Sequence, residues 1–212
     1  MNKNAWQERG RGILDPLVGA LARSGATPTG VTLVGLGLNI VSGVIIGMGR
    51  PLAGGLLLIV AGVCDALDGQ LARRTGKTSR FGAFLDSTID RIDETVVLAG
   101  IAAFFLRPEA AAVLGTGRGP ALAVAVVIAL AGSLITSYAR ARAEGLGLEC
   151  KVGAFERPER VVVTVLGLLL GTRALAVAIL VIVVLSWITV LQRVVHVRRV
   201  VAAAERTPGT PR

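Results

Sequence analysis

Six apolar runs, at residues 31–49, 52–72, 82–106, 119–141, 160–178 and 177–195, each have the length needed to cross about 30 Å of hydrocarbon. A backbone in lipid has no water to bond with, so runs of this kind must close their hydrogen bonds inside helices. Only the break "LGTRAL" at 170–175 divides the last two. Charged residues make up 17% of the chain and hydrophobic ones 53%, whereas a soluble domain is about a quarter charged. The expected fold is therefore an all-α integral membrane protein with six transmembrane helices.

The first 25 residues contain no cleavable signal pattern, because no long apolar core precedes a small-residue cleavage site. They read as a polar start followed by a short amphipathic helix with Ile13, Leu14, Leu17, Val18, Leu21 and Ala22 on one side, lying in the membrane interface. Three regions follow: a cytoplasmic start and juxtamembrane helix at 1–25, a six-helix domain at 26–196 and a basic tail at 197–212. Of the 23 lysines and arginines, Arg50, Arg107, Arg118 and Arg173 fall in one set of connections and Arg91 falls inside a span. All the others lie at the two termini, in 73–80 or in 140–160. That alternation places both termini in the cytoplasm. It also accounts for most of the net charge of +9, so no nucleic-acid partner is needed to explain it. Cys64 and Cys150 lack metal-ligand spacing, and His196 is the only histidine, which leaves no His-based metal site or Ser-His triad to build.

Within this apolar chain, "CDALDGQLARRTGKTSRFGAFLDSTID" (64–90) holds four aspartates. Each would cost about 2.5–3.5 kcal/mol at the centre of a lone membrane helix. Asp65 and Asp68 are three residues apart and Asp86 and Asp90 four apart, so each pair shares a helix face. A short basic loop joins the two helices, which brings all four carboxylates to the cytoplasmic end of one hairpin. Packed that closely, bare carboxylates would repel one another and take up protons. Oxygen donors of this kind suit hard cations, Mg²⁺ or Mn²⁺, and four carboxylates have the capacity for two of them. Gly69 and Gly82 leave room beside them for a backbone or a phosphate.

The pattern Asp65-x2-Asp68-Gly69-x2-Ala72-Arg73, eight residues, then Gly82-x3-Asp86-x3-Asp90 resembles the CDP-alcohol phosphotransferase motif at every defined position. The resemblance implies a transferase that displaces CMP from a CDP-linked lipid, here CDP-diacylglycerol, by attack of an acceptor hydroxyl. It also implies that Asp65, Asp68 and Asp86 bind metal, with Asp90 as a further ligand and as the base. Near the nucleotide it points to Pro28, Thr32, Asp65, Gly69, Arg73 and Ser79. Thr27-Pro28 reads equally as an N-cap and N1 proline opening a helix. Homodimerisation is a further implication of the family.

A second stretch, "SYARARAEGLGLECKVGAFERPERVV" (137–162), is similar to the phosphatidylinositol-phosphate synthase branch of that family. There, cations matching Arg140, Arg160 and Arg193 form an anion pocket for the acceptor's phosphate, and Arg157 joins them here as a candidate. The departure is Arg140, where lysine is expected; arginine presents a planar fork instead of a compact ammonium. A phosphorylated polyol, inositol 1-phosphate, is the acceptor this implies, with phosphatidylglycerophosphate synthesis as the alternative. From another class, a divalent-metal transporter would also carry membrane carboxylates, but it should show broken helices and repeat symmetry, with its acids near mid-bilayer.

Overall fold

A computed structural model describes residues 15–205, and within them every regular element is helical. Helix α1 covers 15–23. It is followed by α2 (Pro28–Gly47), α3 (Pro51–Arg74), α4 (Arg80–Phe105), α5 (Pro108–Leu114), α6 (Arg118–Gly145), α7 (Arg157–Leu170) and α8 (Thr172–Glu205). Local chemistry sets these boundaries. Thr27 Oγ1 accepts from the Gly30 amide at 3.1 Å ahead of Pro28, and Ser79 Oγ accepts from Gly82 at 2.9 Å. Glu156 and Glu159 form a reciprocal capping box at the start of α7.

The expected runs map onto α2, α3, α4, α6, α7 and α8, with two differences. A bend of 70° separates α4 from the short α5, which hydropathy did not mark; Pro108 at the first helical position sets it off. The break between the last two helices is Gly171 at φ 99°, inside the expected LGTRAL stretch; α7 ends at Leu170 and α8 begins at Thr172, so the run ends expected at 178 and 177 are corrected. On length and apolarity α2, α3, α6 and α8 qualify as spans, and the bent α4–α5 pair qualifies when taken together. The charged residues of α4, Asp86, Asp90, Arg91, Asp93 and Glu94, and the 14 residues of α7 keep those two helices from qualifying alone.

Between 28% and 39% of the apolar window of each qualifying helix is buried within the chain. Most of the apolar surface thus faces outward, as on Val34, Leu56, Val127 and Leu170, and suits a lipid environment. Inside, Ile101, Phe104, Phe105, Leu168, Leu175, Ile179 and Ile182 form the main core. Glycines let the backbones meet. A Cβ on Gly100 would collide with the Gly43 carbonyl, and one on Gly43 would lie 2.5 Å from the Val96 oxygen, so α2 and α4 cross in near backbone contact. Helix α1 packs Val18 against Leu67 and Leu71 of α3, and Asp15 pairs with Arg74 at 3.1 Å. Ile13 and Leu14, expected on the same apolar face, lie outside the described residues.

Candidate functional site

The α3–α4 hairpin brings the aspartates together as its turn demands. One carboxylate oxygen from each of Asp65, Asp68 and Asp86 lies within 4.8 Å of the others, a set of hard oxygen donors that fits a divalent cation. Thr32 Oγ1, one turn into α2, donates to Asp68 Oδ2 at 2.6 Å and holds that buried carboxylate in place. Asp90 stands slightly apart. Arg157, at the start of α7 and 92 residues from Asp65 in sequence, reaches Asp65 at 3.0 Å, Asp90 at 2.8 Å and Asp93 at 3.7 Å. Arg91 approaches the other Asp90 oxygen at 3.4 Å.

A cavity of about 440 Å³ opens over this cluster, a size suited to a small ligand. Pro28, Thr32, Asp65, Gly69, Arg73 and Ser79 all line it, together with Asp68, Asp86 and Asp90. The six residues expected near a nucleotide, from two helices and a loop, therefore share one space. Lys77 joins Arg73 in the lining, whereas Arg74 is turned to Asp15. Thr27 and Pro28 are the N-cap and N1 residues of α2, and both also line this cavity.

The four arginines divide. Arg193, buried in α8, lies within electrostatic reach of Arg140 and Arg160. Arg157 is held in the carboxylate cluster instead. Each member of the trio already has an acidic partner: Arg140 with Glu144 at 2.9 Å, Arg160 with Glu94 at 2.6 and 3.1 Å, and Arg193 with Glu156 at 3.1 Å. Arg193 also donates to the Val152 carbonyl at 2.9 Å, tying the 146–156 loop to α8. The residues that sequence reasoning passed over are Asn39, Asp93, Glu94 and Glu156. Asp93 and Glu94 continue the 86–90 stripe at three and four residues beyond Asp90, a helical repeat that was open to reading.

An outward-apolar helical bundle with an acidic hairpin at one edge marks a membrane-embedded transferase, and the chain belongs to the CDP-alcohol phosphatidyltransferase family, whose model matches residues 25–195. It is 36% identical over 180 residues to the archaetidylinositol phosphate synthase of Pyrococcus horikoshii, covering 84% of this chain and 87% of that protein. It is 35% identical over 204 residues to the phosphatidylinositol phosphate synthase of Mycobacteroides abscessus, covering 93% and 89%. Its fold is similar to crystal structures of Mycobacterium tuberculosis phosphatidylinositol phosphate synthase. With CDP-DAG bound the TM-score is 0.76 at 33% identity, covering 86% of this chain and 92% of that one. With manganese and citrate it is 0.75 at 34% identity, covering 86% and 87%. These relatives favour neither metal transport nor glycerol phosphate as acceptor.

Proposed function

We propose that this enzyme transfers a phosphatidyl group from CDP-diacylglycerol to inositol 1-phosphate, giving phosphatidylinositol phosphate and CMP. The observation that carries the reading is the one cavity that joins the aspartate cluster to Thr32, Gly69, Arg73 and Ser79, in a chain related over most of its length to archaetidylinositol phosphate and phosphatidylinositol phosphate synthases.

Asp65, Asp68 and Asp86, with Asp90, would hold two divalent cations, Mg²⁺ or Mn²⁺. Such cations, when bound, offset the pyrophosphate charge and stabilise the departing phosphate oxygen. Thr32 and Arg157 fix the carboxylates from opposite sides, so little rearrangement is needed when the donor arrives. Arg73 and Lys77 line the entrance, where the cytidine phosphates would lie. The acceptor hydroxyl oxygen forms a bond to the phosphorus that carries diacylglycerol, the bond from that phosphorus to the CMP oxygen breaks, and Asp90 takes the hydroxyl proton. Arg157 and Arg91 orient the Asp90 carboxylate for that transfer. Arg140, Arg160 and Arg193 receive the acceptor's phosphate by exchanging carboxylate partners for a phosphate of higher charge.

The same reading takes α2, α3, α4, α6, α7 and α8 as six crossings, with both termini and the site on the cytoplasmic face, in keeping with the lysine and arginine bias. It takes 1–25 as an interfacial start, 26–196 as the catalytic domain and 197–212 as a basic tail. The working form is a homodimer, an expectation that rests on the family. The direct test is CMP release by purified protein with CDP-diacylglycerol and Mg²⁺ or Mn²⁺, comparing inositol 1-phosphate, inositol, glycerol 3-phosphate and serine. Turnover with inositol 1-phosphate alone is expected. Preference for any other acceptor would discard the acceptor assignment and leave the aspartate site standing.

A further inference from the structure

Beneath the aspartates lies a second, narrower space of about 70 Å³, lined by residues of α2, α3, α4, α7 and α8. Water takes about 30 Å³ in the liquid, and a cavity holds one once roughly 10–15 Å³ is open to it, so this chamber accommodates a few waters or one edge of a small ring. Its wall combines polar side chains, Asn39, Asp65, Asp93, Arg157 and Thr164 among them, with apolar ones such as Leu58, Val97 and Ile182. Asp65 and Arg157 also line the nucleotide cavity, so the two spaces share a wall at the reaction site.

Two side chains in this wall are more than nine-tenths buried and incompletely bonded. Asn39 is 6% exposed and Asp93 is 7% exposed, and the Oδ1 atom of each lacks a hydrogen-bond partner within the protein. A buried acceptor left empty costs about 1–3 kcal/mol, and almost all such groups in folded proteins are satisfied by something. Neither residue belongs to the aspartate motif. Two unfilled acceptors, with the Thr164 hydroxyl on the same wall, call for a donor-rich ligand with some apolar surface. Anions are disfavoured there by Asp65 and Asp93, and Glu94 accepts from Arg160 at 2.6 and 3.1 Å.

We infer that this chamber is the hydroxyl-reading subsite of the acceptor, in which Asn39, Asp93 and Thr164 bond the ring hydroxyls of the polyol remote from its reacting oxygen. The inference rests on the polyol-phosphate reading above. Arg160 links the two halves of the acceptor, since it lines the chamber and lies within reach of Arg193. Glycerol 3-phosphate has two free hydroxyls, one of which reacts, so it enters with too few to satisfy the wall, and the unpaired acceptors then discriminate against it. A site built to bond a substrate hydroxyl rejects analogues lacking it far more strongly than an apolar pocket rejects a missing methylene.

The test uses two near-isosteric variants, Asn39→Leu and Thr164→Val, in the full-length protein. KM for inositol 1-phosphate is expected to rise by about tenfold in Asn39→Leu and by about threefold in Thr164→Val, the loss of one to two hydrogen bonds, with KM for CDP-diacylglycerol within about twofold of wild type. The preference for inositol 1-phosphate over glycerol 3-phosphate should shrink in parallel. Unchanged acceptor KM and preference in Thr164→Val, together with either result in Asn39→Leu, would leave the chamber as a water site and overturn the inference. A rise confined to the KM of CDP-diacylglycerol would assign the chamber to the donor's lipid and overturn it equally. Wild-type protein that turns over some other acceptor would refute the proposed function instead, and the same two variants would then be read against that acceptor.

Discussion

At the scale of single residues, Asp90 and the arginines of the proposed acceptor pocket make the sharpest claims. Asp90→Asn keeps the shape of the side chain and removes its ability to take a proton, so kcat is expected to fall by about 10²–10⁴-fold while CDP-diacylglycerol still binds. Wild-type rates of CMP release by this variant would remove Asp90 as the base. Arg140 and Arg160 separate binding from stability. The Arg140 side chain is 40% exposed, so Arg140→Ala should raise the acceptor KM by about tenfold or more, the loss of a charge-assisted bond, and leave thermal stability near wild type. Arg160 is 2% exposed and bound to Glu94, so Arg160→Ala should raise the same KM and also destabilise the fold by about 3–5 kcal/mol, because it strands a buried carboxylate. Melting curves beside acceptor titrations distinguish the two. The four aspartates were legible in the sequence because their spacing of three and four puts each pair on one face. The position of Arg157 was not, since its 92-residue separation from Asp65 is closed only by the packing of α7 against α3. Asn39 was hidden for another reason: one amide in an apolar run carries no periodic signal.

Helices show the same division between what spacing reveals and what packing decides. An N-cap hydroxyl marks the starts of α2 and α4, followed in α2 by a proline, and these starts fall within a few residues of the expected ones. The break between α7 and α8 falls inside the LGTRAL stretch expected to divide them, but the residue that ends the helix was not legible there, since Gly171 shows itself only by its φ of 99°. The bend after α4 escaped for a related reason: the apolar run ends at 106 whichever way the chain turns next, and the seven residues of α5 are too few to carry a period of their own. The crossing of α2 and α4 yields its own prediction. Gly100→Leu drives a side chain into the Gly43 carbonyl, and overpacking of this kind costs about 1–3 kcal/mol or more. A lower unfolding temperature in detergent is expected, with turnover lost at the temperature of unfolding; a melt unchanged from wild type would mean the two helices separate easily.

For the molecule as a whole, the aspartate cavity draws on α2, α3, α4 and α7 together. Divalent cations bound there should stabilise the entire bundle by mass action. Chelation is expected to lower the unfolding temperature as well as abolish CMP release, and restored Mn²⁺ or Mg²⁺ should raise both in a concentration-dependent way. A melt indifferent to chelation would argue against metal at the carboxylates. Topology has an equally direct check: Lys77→Cys should react with a membrane-impermeant thiol reagent only from the cytoplasmic side, and Thr116→Cys only from the other. Labelling of both from one side would break the six-crossing arrangement.

Helix α7 has 14 residues, about 21 Å at 1.5 Å per residue, against a hydrocarbon layer of about 30 Å. As one crossing of the proposed six, it leaves a hydrophobic mismatch on its side of the bundle. Lipid there must compress or the helix must sit off centre. Either adjustment draws headgroups and water down towards the end of α7 that carries Arg157 and Arg160, so a water-soluble sugar phosphate and a lipid anchored in the leaflet can meet at one depth.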